Sequence, residues 1–306
     1  MMSKRRMEGG EVRVYEDHRD NLTVDVENVL VQDRAAQLRS EDSQSALLWN
    51  IFRSLERIDR NVWLPRILTF ALGDDDGAKR RLHGMLHRTH LDDAEFRWWE
   101  RYDLPPGRHE WLRDAAINST LDLGHYPERY LPDKKQEMQR LVASDLELEE
   151  PVEMPLTIET SGWLLGVLAV YKGNLRQNTC FDAHRDQVLR WLDAGSWHAV
   201  QSNKHFMTLV LYTDGRTYNG ETRQLVQRYQ QREDFLRGRL PHRRDDSVLS
   251  EAAQWLGDLR WRDLGALLLD VKDEERLGLF DQAILDEIIK YLARKDVGFN
   301  FFRRLK

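Results

Sequence analysis

A single cysteine, Cys180, in a chain of 306 residues has no partner to pair with, which excludes an internal disulfide and a thiolate metal cluster within one chain. Long apolar runs are also missing: none approaches the ~20 residues that a bilayer-spanning helix requires. The first residues, Met1-Met2-Ser3-Lys4-Arg5-Arg6, carry basic charge with no apolar stretch behind it, so no secretory signal is expected. Gly-rich phosphate loops, His-Glu-x-x-His and Gly-x-Ser-x-Gly are absent, which removes the commonest nucleotide, zinc-protease and serine-hydrolase signatures. There is no excess of positive charge either: 46 Lys and Arg face 52 Asp and Glu, for a net charge of -6. That balance argues against strong non-specific affinity for nucleic acid over the whole surface, and leaves room for a local basic groove. The expectation is a soluble cytoplasmic protein that does not engage a membrane.

What the chain does contain is a core and a very polar exterior. It is 41% hydrophobic and 32% charged, with a mean hydropathy of -0.66. The length accommodates one large or two ordinary domains. Residues 1–20 are charged, with Gly9-Gly10, and read as a mobile arm. Residues 21–145 read as a short strand followed by helices that pack on a core formed by residues 146–306. Alternation of Leu22, Val24 and Val26 with Thr23, Asp25 and Glu27 suits a strand or an oligomerisation ribbon. Residues 43–72 suggest two helices with a bend at Trp63-Leu64-Pro65. Residues 78–102 and 109–121 read as further helices split by Pro105-Pro106-Gly107, and 134–142 as another. On a helix, Trp98 and Trp99 could not both face one core, so one of them is expected to pack on another element or a partner.

Two stretches carry the most information. Pro155-Leu156-Thr157-Ile158-Glu159-Thr160 and Gly166-Val167-Leu168-Ala169-Val170-Tyr171-Lys172 flank a Gly162-Trp163 turn and predict a β-hairpin. A helix over 181–200 follows, carrying Gln187 and Arg190, and then the apolar strand Phe206-Met207-Thr208-Leu209-Val210-Leu211-Tyr212. With the segments Trp255 to Leu264 and Ile284 to Lys295 as closing helices, the order of elements over approximately residues 40–300 resembles the PD-(D/E)xK, or restriction-endonuclease-like, nuclease superfamily. That resemblance implies an α/β fold, a mixed sheet flanked by helices with an N-terminal helical region. It also implies Mg²⁺-dependent phosphodiester cleavage, for which this chain lacks the groups. Where such a nuclease has an acid on the first hairpin strand, Pro155 or Leu156 stands. Where the second strand should read Glu-x-Lys, the chain reads Leu168-Ala169-Val170.

Cleavage of this kind needs a divalent cation held by oxygen ligands and a cation beside the attacking water, and aliphatic side chains supply neither. The leading expectation is therefore a pseudonuclease with no catalytic residues, no metal and no cofactor. It would act by binding DNA, RNA or a partner subunit in a bacterial DNA-processing or phage-defence assembly. Gln187 and Arg190, three apart on one helical face, match a position from which related nucleases approach the phosphate. The run of Arg216, Arg223, Arg228, Arg232, Arg237, Arg239, Arg243 and Arg244 forms a candidate basic surface. Two alternatives stay open: an active Mg²⁺ nuclease with ligands relocated to Glu41, Glu159 and Lys172, and a structural homodimer joined through a sheet edge and the Trp98-Trp99 region. His83, His87 and His90 have a helical metal-face spacing, but with no acid known to converge on them they read as surface.

Overall fold

A computed structural model describes residues 11–12, 24–25, 44–73, 76–124, 126–171, 175, 181–213, 219–273, 277–295 and 297. Near the start, β1 (Glu11–Val12) pairs antiparallel with β2 (Val24–Asp25), which places a strand within the alternating segment. The main sheet has five strands in the order β3 (Glu95–Tyr102), β4 (Val152–Glu159), β5 (Trp163–Val170), β6 (His205–Tyr212), β7 (Leu256–Arg260). β3, β4 and β5 form an antiparallel meander, and β6 and β7 continue it in parallel. The chain is thus α/β with a mixed sheet. The predicted hairpin is β4 and β5, and Thr160 closes its turn by accepting from the backbone N–H groups of Gly162 and Trp163.

Helices cover both faces. On one lie α1 (Gln44–Leu55), α2 (Arg60–Ala71), α10 (Trp261–Lys272) and α11 (Leu279–Arg294), buried against Leu156, Ile158, Leu165, Val167 and Leu209. On the other lie α6 (Gln187–Gln201), α7 (Asn219–Gln231), α8 (Glu233–Arg239) and α9 (Asp246–Gln254), against Met154, Leu164, Leu168 and Val210. A smaller core joins α4 (Pro106–Ile117) and α5 (Leu131–Ala143) to Leu148 and Phe181. The remaining helix, α3 (Asp76–Leu86), follows α2. Packing on the second face is close. A Cβ at Gly195 of α6 would lie 2.1 Å from the Phe206 ring of β6, so any larger residue there would force the ring or the helix to shift.

Three expectations change. The break between the first two helices lies at residues 56–59 rather than at Trp63-Leu64-Pro65. Asp59 caps α2 by accepting from the Asn61 N–H at 2.9 Å, and Pro65 sits inside that helix. The predicted helix over 78–102 ends at Leu86, and its second half is edge strand β3, which hydrogen-bonds to β4. Aromatic residues along Phe96 to Tyr102 suit a half-buried pleated surface better than a helix. The segment before residue 145 therefore contributes a strand to the sheet as well as helices. Finally, Leu256 to Arg260 is a strand rather than part of a closing helix, because pairing with β6 outweighs the weak intrinsic preference of Gly257 and Asp258 for extended structure.

Trp98 and Trp99 follow from β3 being a strand. Regular alternation would send them to opposite faces. Trp99, however, has φ of 54°, a left-handed backbone, and both rings reach Trp49 of α1, with centroids at 4.4 Å for Trp98 and 4.8 Å for Trp99. Both tryptophans pack on one core.

Candidate functional site

The positions that the resemblance assigns to catalysis are filled with core. Leu168 and Val170 on β5 are 0% and 2% exposed and pack in the same core as Val188, Leu189 and Leu192 of α6. Leu156 is equally buried, on the opposite face of the sheet, while Pro155 stands across from Trp99. A hard divalent cation needs several oxygen ligands at 2.0–2.6 Å, so these side chains do not fit one. No group of three His, Cys, Asp or Glu side chains that could hold a metal occurs among the described residues.

Glu159 sits at the hairpin end, where Arg97 Nη1 approaches its carboxylate to 2.7 Å and Lys204 forms a second ion pair with it. Its strand neighbour is Leu164, six residues before Val170, a separation of roughly 20 Å along a strand. Glu41 and Lys172 lie outside the described residues, as do Cys180 and Arg216.

Gln187 opens α6 and is half-buried. Arg190 is committed inward: its Nε donates to Glu149 Oε1 at 3.0 Å and its Nη2 to the Glu150 carbonyl at 3.0 Å. Glu149 is the hub of a buried ionic network. Arg108 from α4 donates to it at 2.8 Å and to Asp182 at 3.0 Å. Arg185 donates to Glu149 at 2.9 Å and to Asp193 of α6 at 2.7 Å. Asp193 also receives Arg243 Nη1 at 3.0 Å and the His242 Nε2 hydrogen at 2.9 Å, and Arg243 reaches Asp245 at 2.6 Å. Four arginines (108, 185, 190, 243) thus face four carboxylates (149, 182, 193, 245), which balances the charge that burial would otherwise penalise. Burial works to raise the Glu149 carboxyl, but Arg185, Arg108 and Arg190 overcome it and hold the group at about 2. Asp193 is likewise held far below its ordinary value, with Arg185 outweighing burial. Burial pushes the His242 imidazole down, so the ring is neutral at pH 7 and its one proton sits on Nε2.

The arginine run divides between surface and scaffold. Arg228 on α7 and Arg244 are exposed. Arg232 pairs with Asp234 at 2.7 Å, and Arg237 with Glu233 at 2.6 Å and Asp246 at 3.2 Å. Arg239 lies over the Phe235 ring at 5.1 Å. Arg243 belongs to the buried network.

Polar chemistry reappears two strands away from the degenerate slots. Leu168 pairs with Val210 and Val210 with Asp258; Val170 pairs with Tyr212 and Tyr212 with Arg260. Asp258 and Arg260 therefore share the rows and the face of Leu168 and Val170, at roughly 10 Å across the sheet. They line a cleft of about 570 Å³ at the carboxyl ends of β6 and β7 that reaches round the edge strand β7, from Tyr212 and Arg223 of α7 on their own face to α2 and α10 on the other. Its basic side chains are Arg66, Lys79, Arg223 and Arg260, its acids Asp258, Asp263 and Asp270, and its apolar wall includes Phe70, Leu259 and Leu267. The Tyr212 hydroxyl donates to Asp258 at 2.9 Å. Burial raises the Asp258 carboxyl above its ordinary value, against the opposing pull of Tyr212, Arg223 and Arg260. Gly73, in a left-handed conformation at φ 69°, turns the chain at the end of α2 and borders the cleft.

Sequence reasoning missed this cleft, apart from placing Arg223 in the arginine run. Its residues come from six elements spread between positions 65 and 270, and the one local signal is a charged pair, Asp258 and Arg260, inside an otherwise apolar strand. None of the family models, curated proteins or solved structures compared with the chain matches it.

Proposed function

We propose that the chain is a nuclease-like protein without hydrolytic groups that acts by binding nucleic acid, as a subunit or regulator of a DNA-processing or defence assembly. The observation that carries this reading is the complete burial of Leu168 and Val170 beneath α6, on the strand where the resemblance calls for Glu-x-Lys. The arrangement around them supports it: an antiparallel hairpin, a helix, and then a strand parallel to the second hairpin strand are the elements the resemblance requires, in order. Supporting the loss of cleavage, Glu159 is engaged with Arg97 and Lys204 and stands far along the strand from Val170. Trp98 and Trp99 pack their rings on Trp49 and stay half-buried on the edge strand β3, so the homodimer alternative through that edge stands beside this reading. Arg190 is removed from the binding surface by Glu149, so the surface assigned to nucleic acid is the outer side of α7, α8 and the following turn, around Arg228, Arg237, Arg239 and Arg244.

The test pairs cleavage with binding on labelled single- and double-stranded DNA and RNA, with Mg²⁺ or Mn²⁺ and an EDTA control. Retarded but intact substrate is the expected result. Metal-dependent cleavage that Glu159→Ala abolishes would replace this reading with a relocated active site, and neither binding nor cleavage would sink the nucleic-acid reading.

A further inference from the structure

The cleft between α2 and α10 combines three features that a phosphorylated ring compound would use. Arg223 and Arg260 both line the cleft together with Asp258, which accepts from the Tyr212 hydroxyl. Arg260 is also the N-cap residue of the twelve-residue helix α10, and its side chain makes no capping hydrogen bond there. The backbone N–H groups of that helix start and its dipole add to the positive potential at this end. Asp263 is ion-paired with Arg260, so a phosphate dianion would share that guanidinium's donors with the carboxylate. On the wall stands Phe70, a large aromatic ring left 53% exposed, with Leu267 among the other apolar lining residues. The volume, about 570 Å³, lies in the ordinary range for small-molecule sites, and the carboxyl ends of parallel strands are where such sites form in open α/β sheets.

We propose that this cleft binds a nucleoside monophosphate or a compound of the same chemistry, with its phosphate at Arg223 and Arg260 and its ring against Phe70 and Leu267. Asp270 and Lys79 line the same cleft. The inference stands apart from the nuclease-like reading: except for Arg223, which also belongs to the arginine run, it uses neither the hairpin nor the arginine surface around Arg228 and Arg237. The nucleotide unit could arrive free or as the 5′-phosphorylated end of a strand, and the two sources present the same chemistry.

Calorimetric titration of the full chain with AMP, GMP, CMP and UMP, beside the matching nucleosides, inorganic phosphate and a 5′-phosphorylated oligonucleotide, tests it. At least one monophosphate is expected to bind with a Kd near or below about 100 µM, and its nucleoside and inorganic phosphate at least roughly tenfold more weakly. Arg223→Ala, at an exposed position, is expected to weaken the monophosphate on the order of tenfold, with partial rescue in Arg223→Lys. Phe70→Ala is expected to weaken the monophosphate about fivefold and leave inorganic phosphate unchanged. Tighter binding of the oligonucleotide than of any monophosphate would assign the site to a strand end, and the reverse to a free nucleotide. No binding of any monophosphate at millimolar concentration would overturn the proposal, as would binding unchanged by both alanine variants. Failure of the gel-shift with retained monophosphate binding would remove the nucleic-acid reading alone.

Discussion

Trp99 stands opposite Pro155 at the point where β3 and β4 together exchange faces. The register is continuous on either side, Trp98 with Leu156 and Glu100 with Met154, so no residue is inserted. Yet Leu156 and Ile158 bury in one core and Val152 and Met154 in the other, and on β3 Phe96 and Trp98 pack on the first core and Tyr102 in the second. The left-handed backbone of Trp99 accounts for the switch on β3. Pro155, which has no N–H to offer, fits a place where the ladder is interrupted.

That relationship makes a stability comparison informative. Trp99→Ala and Trp99→Gly both lose the ring stacked on Trp49, but alanine keeps the cost of a left-handed backbone, on the order of 1 kcal/mol, and glycine does not. The glycine variant is expected to be the more stable of the two by about that amount in urea denaturation. An alanine variant as stable as the glycine variant would refute strain at this position.

The buried network should respond very differently from surface pairs. Arg108→Ala strands Glu149 and Asp182 without one of their cations and is expected to cost about 3–5 kcal/mol. Arg113→Ala, which breaks the exposed pair with Asp145, is expected to cost less than about 1 kcal/mol. Denaturant midpoints of the two variants, measured side by side, decide the matter; equal losses would mean that the network does not act as a unit.

Stability should fall on the acid side in two stages. His242 is held neutral by burial, so the unfolded chain takes up a proton that the folded chain refuses as the pH drops through about 6.5. Glu149 and Asp193 remain charged when folded, and stability from Glu149 is lost between its ordinary 4.5 and its folded value of about 2. The Glu149 contribution is on the order of 3 kcal/mol. Unfolding free energy measured from pH 8 to pH 3 is expected to decline throughout, with the first part of the decline absent in His242→Gln.

Salt dependence separates surface arginines from scaffold arginines. Arg228→Glu combined with Arg244→Glu is expected to weaken retention of nucleic acid and to flatten the slope of log affinity against log salt by about 0.9 per lost phosphate contact on duplex DNA. Arg190→Ala is expected to lower the melting temperature and leave that slope unchanged, because its guanidinium is spent on Glu149 and Glu150. A slope altered by Arg190→Ala would return that residue to the binding surface.

The hairpin, helix α6 and strand β6 were legible in the sequence because their signals are local: an alternating or apolar run, a Thr-Ser-Gly turn, an Asp186 cap accepting from the Leu189 N–H. The burial of Leu168 and Val170 follows from the same local pattern. β3 escaped because its alternation is broken at Trp99, and β7 because five residues with glycine and aspartate become a strand only when β6 offers an edge. Arg190 could be placed on a helical face from its spacing, but Glu149, forty-one positions away, decided that it faces inward. The cleft lay largely beyond the sequence, since residues between positions 65 and 270 meet there only once α2 packs against β7 at the edge of the assembled sheet. Periodicity and turn chemistry depend on neighbours a few residues apart, which is why the sequence by itself determined the hairpin and its aliphatic slots. Which distant charges share a buried or half-open space depends on the faces that the whole sheet brings together, and that the tertiary structure alone decided.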